Sequence, residues 1–268
     1  MFDIKGRIAV ITGGYGVLGS SMAECLSKSG VHVAIVGRKA DKGEPLAAHL
    51  SEIGAEAMFC QADVLDKEAL QQACDAVVAK WGRIDILINA AGGNMPGATI
   101  PPGNTFMDID LGAFSSVIDL NLMGTVVPTV VFGAQMAGQG AGSIINISSM
   151  SAQKVITRVV GYSAAKAAID NFTRWMAFEM GRKFGEGIRV NAIAPGFFIT
   201  EQNRTLMTNP DGSLSDRAKD VVRMTAFGRL GEAEELNGAI VFYASDASKF
   251  VTGTVLPIDG GFSIFSGV

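Results

Sequence analysis

Short runs of apolar and β-branched residues recur along the chain, and a segment with helical periodicity follows most of them. Seven runs predict strands, at residues 7–12, 31–36, 55–60, 84–89, 143–148, 188–193 and 254–258. Helices are predicted at residues 17–29, 45–53, 66–80, 111–137 and 162–183. The strands are apolar along their whole length, which is typical of parallel strands buried on both faces. The pattern predicts an α/β protein with a doubly wound parallel sheet of about seven strands and helices on both faces.

The 268 residues contain no repeat, linker or break in composition. A single Rossmann-like domain over residues 1–268 is therefore the economical interpretation. Two segments, residues 93–112 and 197–221, read as insertions that follow strands. Ligands bind at the carboxyl edge of the sheet in this architecture, so we expect both segments to form substrate loops. The sequence leaves open whether residues 197–221 close over the site as a lid.

Charge and cysteine usage narrow the range of partners and compartments. The formal net charge is −4 and the basic residues form no stripe, which disfavours nucleic acid as a partner. Cys25, Cys60 and Cys74 form no CxxC pair, so free thiols in a reducing, cytoplasmic compartment are expected. Residues 120–153 carry no charge, but Asn121, a proline and several glycines interrupt them. We expect a buried helix and a buried strand there, and no membrane span.

A glycine-rich stretch joins the first predicted strand to the first helix. Such a loop lets backbone N–H groups approach a pyrophosphate, and the helix directs its positive end to the same place. An ordinary tight turn is the alternative, because a glycine cluster alone is a weak signal. The stretch predicts a cofactor loop containing Gly13, Tyr15, Gly16, Val17, Leu18 and Gly19.

A tyrosine and a lysine lie four residues apart at the start of a predicted helix. Tyr162 and Lys166 therefore share one helix face, and a lysine cation favours the phenolate and lowers the pKa of a nearby tyrosine. A lone pair of this kind also occurs by chance. Here Ser148 and Ser149 end the fifth strand, and Asn121 lies in the helix before it.

These motifs together resemble the short-chain dehydrogenase/reductase family over residues 6–261. The family pattern TGxxxGxG begins at Thr12, although its middle glycine falls on Val17 and Gly16 stands one place earlier. The resemblance implies Asn121, Ser149, Tyr162 and Lys166 as the catalytic set, with Ser148 as the alternative serine. It also implies cofactor contacts at Asp63, Val64, Asn89, Ala90, Gly92, Tyr162, Lys166, Pro195, Gly196 and Thr200.

The end of the second strand bears on the choice of nicotinamide cofactor. An acidic residue there would accept the ribose hydroxyls of NAD, but the position is Gly37 and Arg38 follows it. Arg38 could pair with a 2′-phosphate, so NADP(H) is favoured, although NAD(H) is possible. Only two histidines are present, and no ligand cluster predicts a metal site.

Several strings, among them NAAGGNMPGAT and APGFFITEQNRTLMT, resemble the D-mannonate oxidoreductase (fructuronate reductase) branch of the family. That branch interconverts a keto sugar acid and its hydroxy acid, and the family usually forms homotetramers. The implied substrate contacts are Asn94, Ser149, Arg158, Gln202, Asn203 and Arg204, with Arg158 or Arg204 for the carboxylate. The same chemistry on a gluconate-type acid, a polyol or a 3-oxoacyl thioester stays open, as does a sensor that binds cofactor without turnover.

Overall fold

The computed structural model describes residues 1–200 and 203–267. Seven strands form one sheet in the order β3-β2-β1-β4-β5-β6-β7, and every neighbouring pair is parallel. The strands are β1 Ile8–Thr12, β2 His32–Gly37, β3 Ala57–Gln61, β4 Ile86–Asn89, β5 Gly142–Ile147, β6 Ile188–Pro195 and β7 Val255–Ile258. The predicted Rossmann-like sheet of seven parallel strands is confirmed.

Nine α-helices lie within the described residues. They are α1 Val17–Lys28, α2 Ala40–Ile53, α3 Lys67–Trp81, α4 Leu111–Ile118, α5 Gly124–Gln139, α6 Val160–Phe184, α7 Arg204–Met207, α8 Asp216–Met224 and α9 Asn237–Ala244. The side chain of Asp66 accepts a hydrogen bond from the backbone N–H of Ala69 and caps α3. The predicted helix at 111–137 is interrupted by a π-helical turn, Asp119–Met123, between α4 and α5.

Apolar side chains on the two faces of the sheet pack against different helices. Ala9 and Ile11 of β1 face a core that contains residues from α1, α2 and α9. Ile8 and Val10 point the other way, into a core that contains residues from α3, α5 and α6. Because successive side chains of a strand alternate between faces, both sets must be apolar when helices cover both sides. This is why β1 is apolar along its whole length.

The order of the strands creates a crevice above the centre of the sheet. The chain moves outward from β1 to β2 and β3, then returns to the other side of β1 with β4. Thr12 at the end of β1 lies opposite Val36 of β2 and Asn89 of β4. The carboxyl ends of these strands lie where doubly wound proteins bind nucleotides.

The structure differs from the predicted elements in three places. Helix α2 begins at Ala40 and carries Pro45 in its interior, whereas the prediction began it at the proline. Strand β7 is only half-buried, because it is an edge strand with one neighbour. Helices α7, α8 and α9 were not predicted. Helix α8 is strongly amphipathic but short, and its buried residues, Ala218 and Val221, belong to a small satellite core.

The uncharged stretch and the C-terminal tail both pack against the domain. The segment Leu111–Gln139 is long and apolar enough to span a membrane, because an 18-residue window of it has a mean hydropathy of 1.6. Half of that window is buried in the fold. It packs against α3, β4 and β5, as a core helix does. The ring of Phe262 in the tail packs edge-on against Phe197, with 5.1 Å between ring centroids. The tail therefore covers the start of the 197–221 segment of its own chain.

Candidate active site

The loop after β1 approaches the loop after β4 so closely that only glycine fits. A Cβ atom at Gly13 would lie 2.7 Å from the Cα atom of Ala91, and Gly13 also has a φ of +65°. A Cβ atom at Gly19, in the first turn of α1, would lie 2.7 Å from the carbonyl oxygen of Gly13. These two glycines allow the turn and the close packing of helix on loop.

The glycine displaced from the family pattern has no steric role. Gly16 precedes α1 with a φ of −77°, and a Cβ atom there would meet its nearest atom at 3.4 Å, an ordinary contact. Val17 begins the helix, and Leu18 packs against the core on the α1 side of the sheet. No side chain caps α1, so its first N–H groups face the loop. The altered spacing therefore keeps an N-terminus suited to a pyrophosphate.

The adenosine end of the crevice is built around Tyr15. Its hydroxyl oxygen accepts hydrogen bonds from the backbone N–H groups of Arg38, at 3.1 Å, and Lys39, at 3.4 Å. The ring lies so close to Gly37 that a Cβ atom there would be 2.3 Å from it. The guanidinium of Arg38 is exposed, 3.7 Å from the carboxylate of Asp63. Tyr15 thus fixes the backbone from which Arg38 extends.

Tyr162 and Ser149 lie together at the carboxyl edge of the sheet. Ser149 follows β5, and its hydroxyl caps a short 3-10 turn, Met150–Ala152, by accepting a hydrogen bond from Ser151 N. Burial raises the pKa of Tyr162 above its usual value, and a hydrogen bond from Ser149 offsets part of that rise. Ser148, the alternative serine, points into the interior and donates to Asp170.

Lys166 is a buried cation beside the tyrosine. Its Nζ atom donates to the carbonyl oxygen of Ile147 at 2.7 Å and lies 5.4 Å from the centre of the Tyr162 ring. The residue is 4% exposed, and burial lowers the pKa of its ammonium group to about 8, while Asp170 raises it. A cation this close to the phenol favours the phenolate.

Asn121 holds the backbone that follows β4. Its amide donates to the carbonyl oxygens of Gly93 and Val117, and its Oδ1 atom accepts from Gly93 N at 3.0 Å. It lies in the π-helical turn, and its own carbonyl oxygen accepts from Thr125. A Cβ atom at Gly92 would lie 2.6 Å from Asn121 Oδ1 and 3.3 Å from Lys166 Nζ. Asn121, Gly92 and Lys166 therefore meet at one point.

A network of buried polar side chains lies beneath these groups. Asn89 donates to Thr129 and to Asn146, which in turn donates to Thr173 on α6. Thr129 then donates to the backbone carbonyl of Thr125. All five residues are almost fully buried. Hydrogen-bonded networks of this kind fix the relative positions of the strands and helices that carry them, here β4, β5, α5 and α6.

Two distant segments of the chain contact the residues just before α6. The carbonyl oxygen of Arg158 accepts from Ile100 N, in the 93–112 segment, at 3.0 Å. The guanidinium of Arg217, on α8, donates to Thr157. Arg158 has a φ of +76°, and it alone among the non-glycine residues of the described chain has a positive φ. Strain of about 1–3 kcal/mol is usual for such a residue and is concentrated at functional sites.

The other predicted substrate residues differ in what their side chains contact. Asn94 donates to Thr99, and its buried Oδ1 atom has no hydrogen-bond partner. Asn203 uses both ends of its amide on the backbone, accepting from Thr200 N and donating to Phe198 O, so its side chain stabilises the loop. Arg204 is exposed at the start of α7, and Gln202 lies outside the described residues.

The remaining predicted cofactor residues line the same edge of the sheet. Pro195 ends β6, and Gly196 packs so closely on Asp259 that a Cβ atom would lie 2.7 Å from its backbone. Val64 is buried, and Ala90 packs against the core on the α1 side of the sheet. Two important residues were not predicted, Asp170 and Arg217. The spacing of Asp170 from Lys166, one helical turn, is the signal that could have identified the first.

The residues present fit a dinucleotide. The two steric glycines, the uncapped N-terminus of α1 and the open strand ends form a cradle for a pyrophosphate. Gly13, Gly19 and the first turn of α1 would hold it, and Arg38 would lie at the adenosine ribose. A bound nicotinamide supplies or accepts a hydride. The Tyr162 phenol and the Lys166 ammonium lie together at the same edge of the sheet.

Comparison with known proteins agrees with this geometry. A family model described as enoyl-(acyl carrier protein) reductase matches residues 16–263. UxuB from Bacillus subtilis (strain 168), an uncharacterised oxidoreductase, is 42% identical over 275 residues, which cover 99% of this chain and 98% of that protein.

Two solved structures resemble the whole fold. A candidate D-mannonate oxidoreductase from Haemophilus influenzae with bound NAD has a TM-score of 0.92 and 38% identity, covering 99% of this chain and 98% of that one. A gluconate 5-dehydrogenase from Burkholderia cenocepacia J2315, in complex with NADP and tartrate, has a TM-score of 0.88 and 32% identity, covering 98% and 97%. The chain therefore belongs to the short-chain dehydrogenase/reductase family and is an NAD(P)-dependent oxidoreductase.

Proposed function

We propose that the enzyme interconverts a keto sugar acid and its hydroxy acid, of the D-fructuronate and D-mannonate type. The observation that carries the proposal is the pair of cations, Arg158 and Arg217, beside the loop that leads into Tyr162. Within residues 1–200 and 203–267, neither guanidinium is paired with a carboxylate. Burial, and then the positive charge of Arg158, lower the pKa of Arg217. Two like charges without a counter-ion favour an anion between them.

The proton chemistry follows from the tyrosine site. In reduction, the Tyr162 hydroxyl donates its proton to the carbonyl oxygen of the substrate as the carbon accepts a hydride. The Ser149 hydroxyl donates a hydrogen bond to the same oxygen and stabilises the charge that develops there. The Lys166 ammonium stabilises the phenolate that remains. In oxidation each proton moves in the opposite direction, and the Tyr162 phenolate is the base.

Arg158 and Arg217 are well placed in the chain to bind a carboxylate. Arg158 lies four residues before Tyr162, and Thr157 holds the guanidinium of Arg217 at 3.0 Å. An arginine and a carboxylate can form two parallel hydrogen bonds, which fixes the orientation of the substrate. The strained backbone of Arg158 supports a functional role, because an arginine is otherwise disfavoured at that φ.

Asn94 offers an acceptor for a substrate hydroxyl. Its Oδ1 atom is buried without a partner, although its amide group is bonded to Thr99. An unpaired buried acceptor is costly, and a hydroxyl of a polyhydroxylated substrate would satisfy it. The gluconate 5-dehydrogenase relative binds tartrate, which is itself a hydroxy acid. A sugar acid combines the carboxylate and the hydroxyls that these side chains fit.

The test measures turnover of a panel of carbonyl compounds through the decrease in absorbance of NADPH or NADH. The panel contains fructuronate, 5-ketogluconate, a neutral ketose and a 3-oxoacyl thioester. A ratio of kcat/KM for fructuronate over the neutral ketose that falls at least about tenfold in Arg217→Ala supports the proposal. Lys219→Ala, an exposed cation on the same helix, is the matched control. Turnover restricted to the thioester or the neutral ketose would contradict the sugar-acid assignment, and cofactor binding without any turnover would favour a sensor.

We further propose NADP(H) as the preferred cofactor, with NAD(H) accepted. Gly37 offers no carboxylate to a ribose, and the exposed guanidinium of Arg38 extends from the next residue, 3.7 Å from the carboxylate of Asp63. The Haemophilus relative contains NAD and the Burkholderia relative contains NADP, so the family supports both.

We also propose that the enzyme is a homotetramer and that it works in the cytoplasm. Trp175 and Phe178 on α6 are 60% and 70% exposed, and Val130 on α5 is 52% exposed. Apolar side chains of this size on neighbouring helices are typical of subunit interfaces. Light scattering of Trp175→Glu tests the assembly, with dissociation as the expected result. Three free cysteines, two of them buried with a pKa raised to about 11, suit a reducing compartment.

A further inference from the structure

A carboxylate is buried one helical turn beyond the catalytic lysine. Asp170 lies four residues after Lys166 on α6, so both side chains emerge from the same face of the helix. Asp170 is 5% exposed and Lys166 is 4% exposed. An aspartate is rarely buried to this extent unless it is hydrogen-bonded or paired with a cation. Neither the sequence motifs nor the proton chemistry of Tyr162 explains its presence.

Two hydrogen bonds attach Asp170 to the two ends of residues 148–153, the serine segment. Ser148, immediately before Ser149, donates its hydroxyl to Asp170 Oδ1. Gln153, immediately after the 3-10 turn, donates its amide to Asp170 Oδ2 at 3.4 Å. The backbone of Ser149 and the turn that it caps are therefore tied to α6 on each side. Because Tyr162 projects from the same helix, these bonds fix the distance between the serine and tyrosine hydroxyls.

The charge of Asp170 acts on Lys166. Burial lowers the pKa of the lysine to about 8, and among the charged side chains in the described part of the chain only Asp170 acts against that lowering. The other titratable groups on elements packed against α6 are not among the charges that shift the pKa of Lys166. Arg189 lies at the start of β6, and Asp110 caps α4. Asp119 is exposed on the π-helical turn, and Tyr162, whose pKa is raised by burial, carries no charge at neutral pH.

We propose that Asp170 is a positioning residue of the catalytic site. Its carboxylate anchors the serine segment through Ser148 and Gln153, and it supplies the negative charge that accompanies the buried Lys166 ammonium. The inference rests on the proposed roles of Tyr162 and Lys166. It assigns no contact between Asp170 and the substrate or cofactor.

The variant Asp170→Asn separates charge from shape. The asparagine keeps an oxygen acceptor for Ser148 but removes the negative charge, so the Lys166 ammonium loses its opposing field. The pKa of Lys166 is then expected to fall by about one unit. In reduction the enzyme needs both the Tyr162 hydroxyl and the Lys166 ammonium, so the alkaline limb of kcat/KM is expected to move to lower pH by the same amount.

A measurement without substrate reports on the lysine directly. Protein labelled with ¹³C at the lysine ε-carbons is titrated by NMR, and the Lys166 signal is assigned from its loss in Lys166→Met. The expected result is a lower midpoint for Lys166 in Asp170→Asn than in the wild-type protein. Ser148→Ala is the matched control, because it removes the hydrogen bond and keeps the carboxylate, and its Lys166 midpoint is expected to stay within about 0.3 unit.

An unchanged Lys166 midpoint in Asp170→Asn would overturn the proposal, as would an equal shift in Ser148→Ala. If Asp170→Asn does not fold, the double variant Ser148→Ala/Asp170→Leu removes donor and acceptor together and takes its place with the same expected shift. The two proposals fail separately. Absence of turnover on sugar acids, with the expected shift in the Lys166 midpoint, would contradict only the proposed substrate. Turnover on sugar acids with an unshifted midpoint would contradict only the role of Asp170.

Discussion

The Nζ atom of Lys166 lies 2.7 Å from the carbonyl oxygen of Ile147, the last residue of β5. The lysine on α6 is thereby attached to the strand that leads into Ser149. This hydrogen bond joins the helix that carries the tyrosine to the strand that precedes the serine, as does the bond from Asn146 on β5 to Thr173 on α6. The cation itself is buried, and its pKa of about 8 places its titration close to neutral pH.

The rate of reduction is expected to decrease above about pH 8, as Lys166 loses its proton. The neutral amine no longer stabilises the phenolate that Tyr162 leaves behind. A pH profile of kcat/KM in the reductive direction, with cofactor saturating, measures this limb. In Lys166→Arg the guanidinium remains protonated, so kcat/KM is expected to show no such decrease with pH, even if the rate itself is low. A limb at the same pH in that variant would assign the titration to another group.

Replacing Lys166 with methionine is expected to stabilise the cofactor-free protein near neutral pH. The pKa of Lys166 is lowered in the folded state, so protonated Lys166 opposes folding below about pH 8 and this penalty is relieved as the pH rises towards the unfolded value. Methionine has a similar shape and no charge. We expect a gain of about 1–2 kcal/mol at pH 7, which shrinks at higher pH. Thermal melting at several pH values measures it, and a lower melting temperature at pH 7 would contradict the expectation.

Tyr162→Phe is expected to lower kcat by a factor of about 10²–10⁴, because the phenylalanine ring keeps the packing and lacks the proton. Binding of cofactor, followed by its fluorescence, should change little. Tyr243→Phe is the matched control, since its hydroxyl contacts Thr254 away from the catalytic set. Comparable losses of kcat in the two variants would mean that Tyr162 is not the proton donor.

Arg38→Ala is expected to reduce kcat/KM with NADPH by about 10–100-fold and to change kcat/KM with NADH by less than about threefold. The selective loss follows because only NADPH carries a phosphate at the ribose that Arg38 would contact. Steady-state kinetics with both cofactors give the ratio. Lys39→Ala, one residue further along, tests whether any nearby cation is sufficient. Equal losses with the two cofactors would remove the basis for an NADP(H) preference.

Arg158→Gly is expected to weaken binding of an acidic substrate without destabilising the fold. Glycine accepts the φ of +76° without strain, which offsets its greater freedom in the unfolded chain. The KM for the keto sugar acid should rise about tenfold or more, whereas that for a neutral ketose should not. Thermal melting and kinetics are measured together. Arg204→Ala, an exposed arginine on α7, provides the comparison, and a larger effect there would transfer the carboxylate contact to Arg204.

Most of the sheet could be predicted from the sequence, because local patterns encode it. Apolar runs marked all seven strands, and in the inner strands the run is continuous because a strand covered on both faces has no polar side. The N-cap at Asp66 and the glycine loop were likewise recognisable from residues close together in the chain. Helices α7, α8 and α9 could not be predicted in this way. They are short, so their hydrophobic pattern is brief, and their packing depends on contacts with distant parts of the chain.

The sequence by itself determined which chemical groups the protein carries: the tyrosine and lysine one turn apart, the paired serines and the glycines of the loop. Only the tertiary structure decided which of them work together. Ser148 turns inward to Asp170 whereas Ser149 remains with Tyr162, because a strand sends neighbouring side chains to opposite sides. Asn203 is taken up by its own loop, and Arg217 is brought to Thr157 across 60 residues. Such contacts depend on how distant segments pack, and no local pattern records that packing.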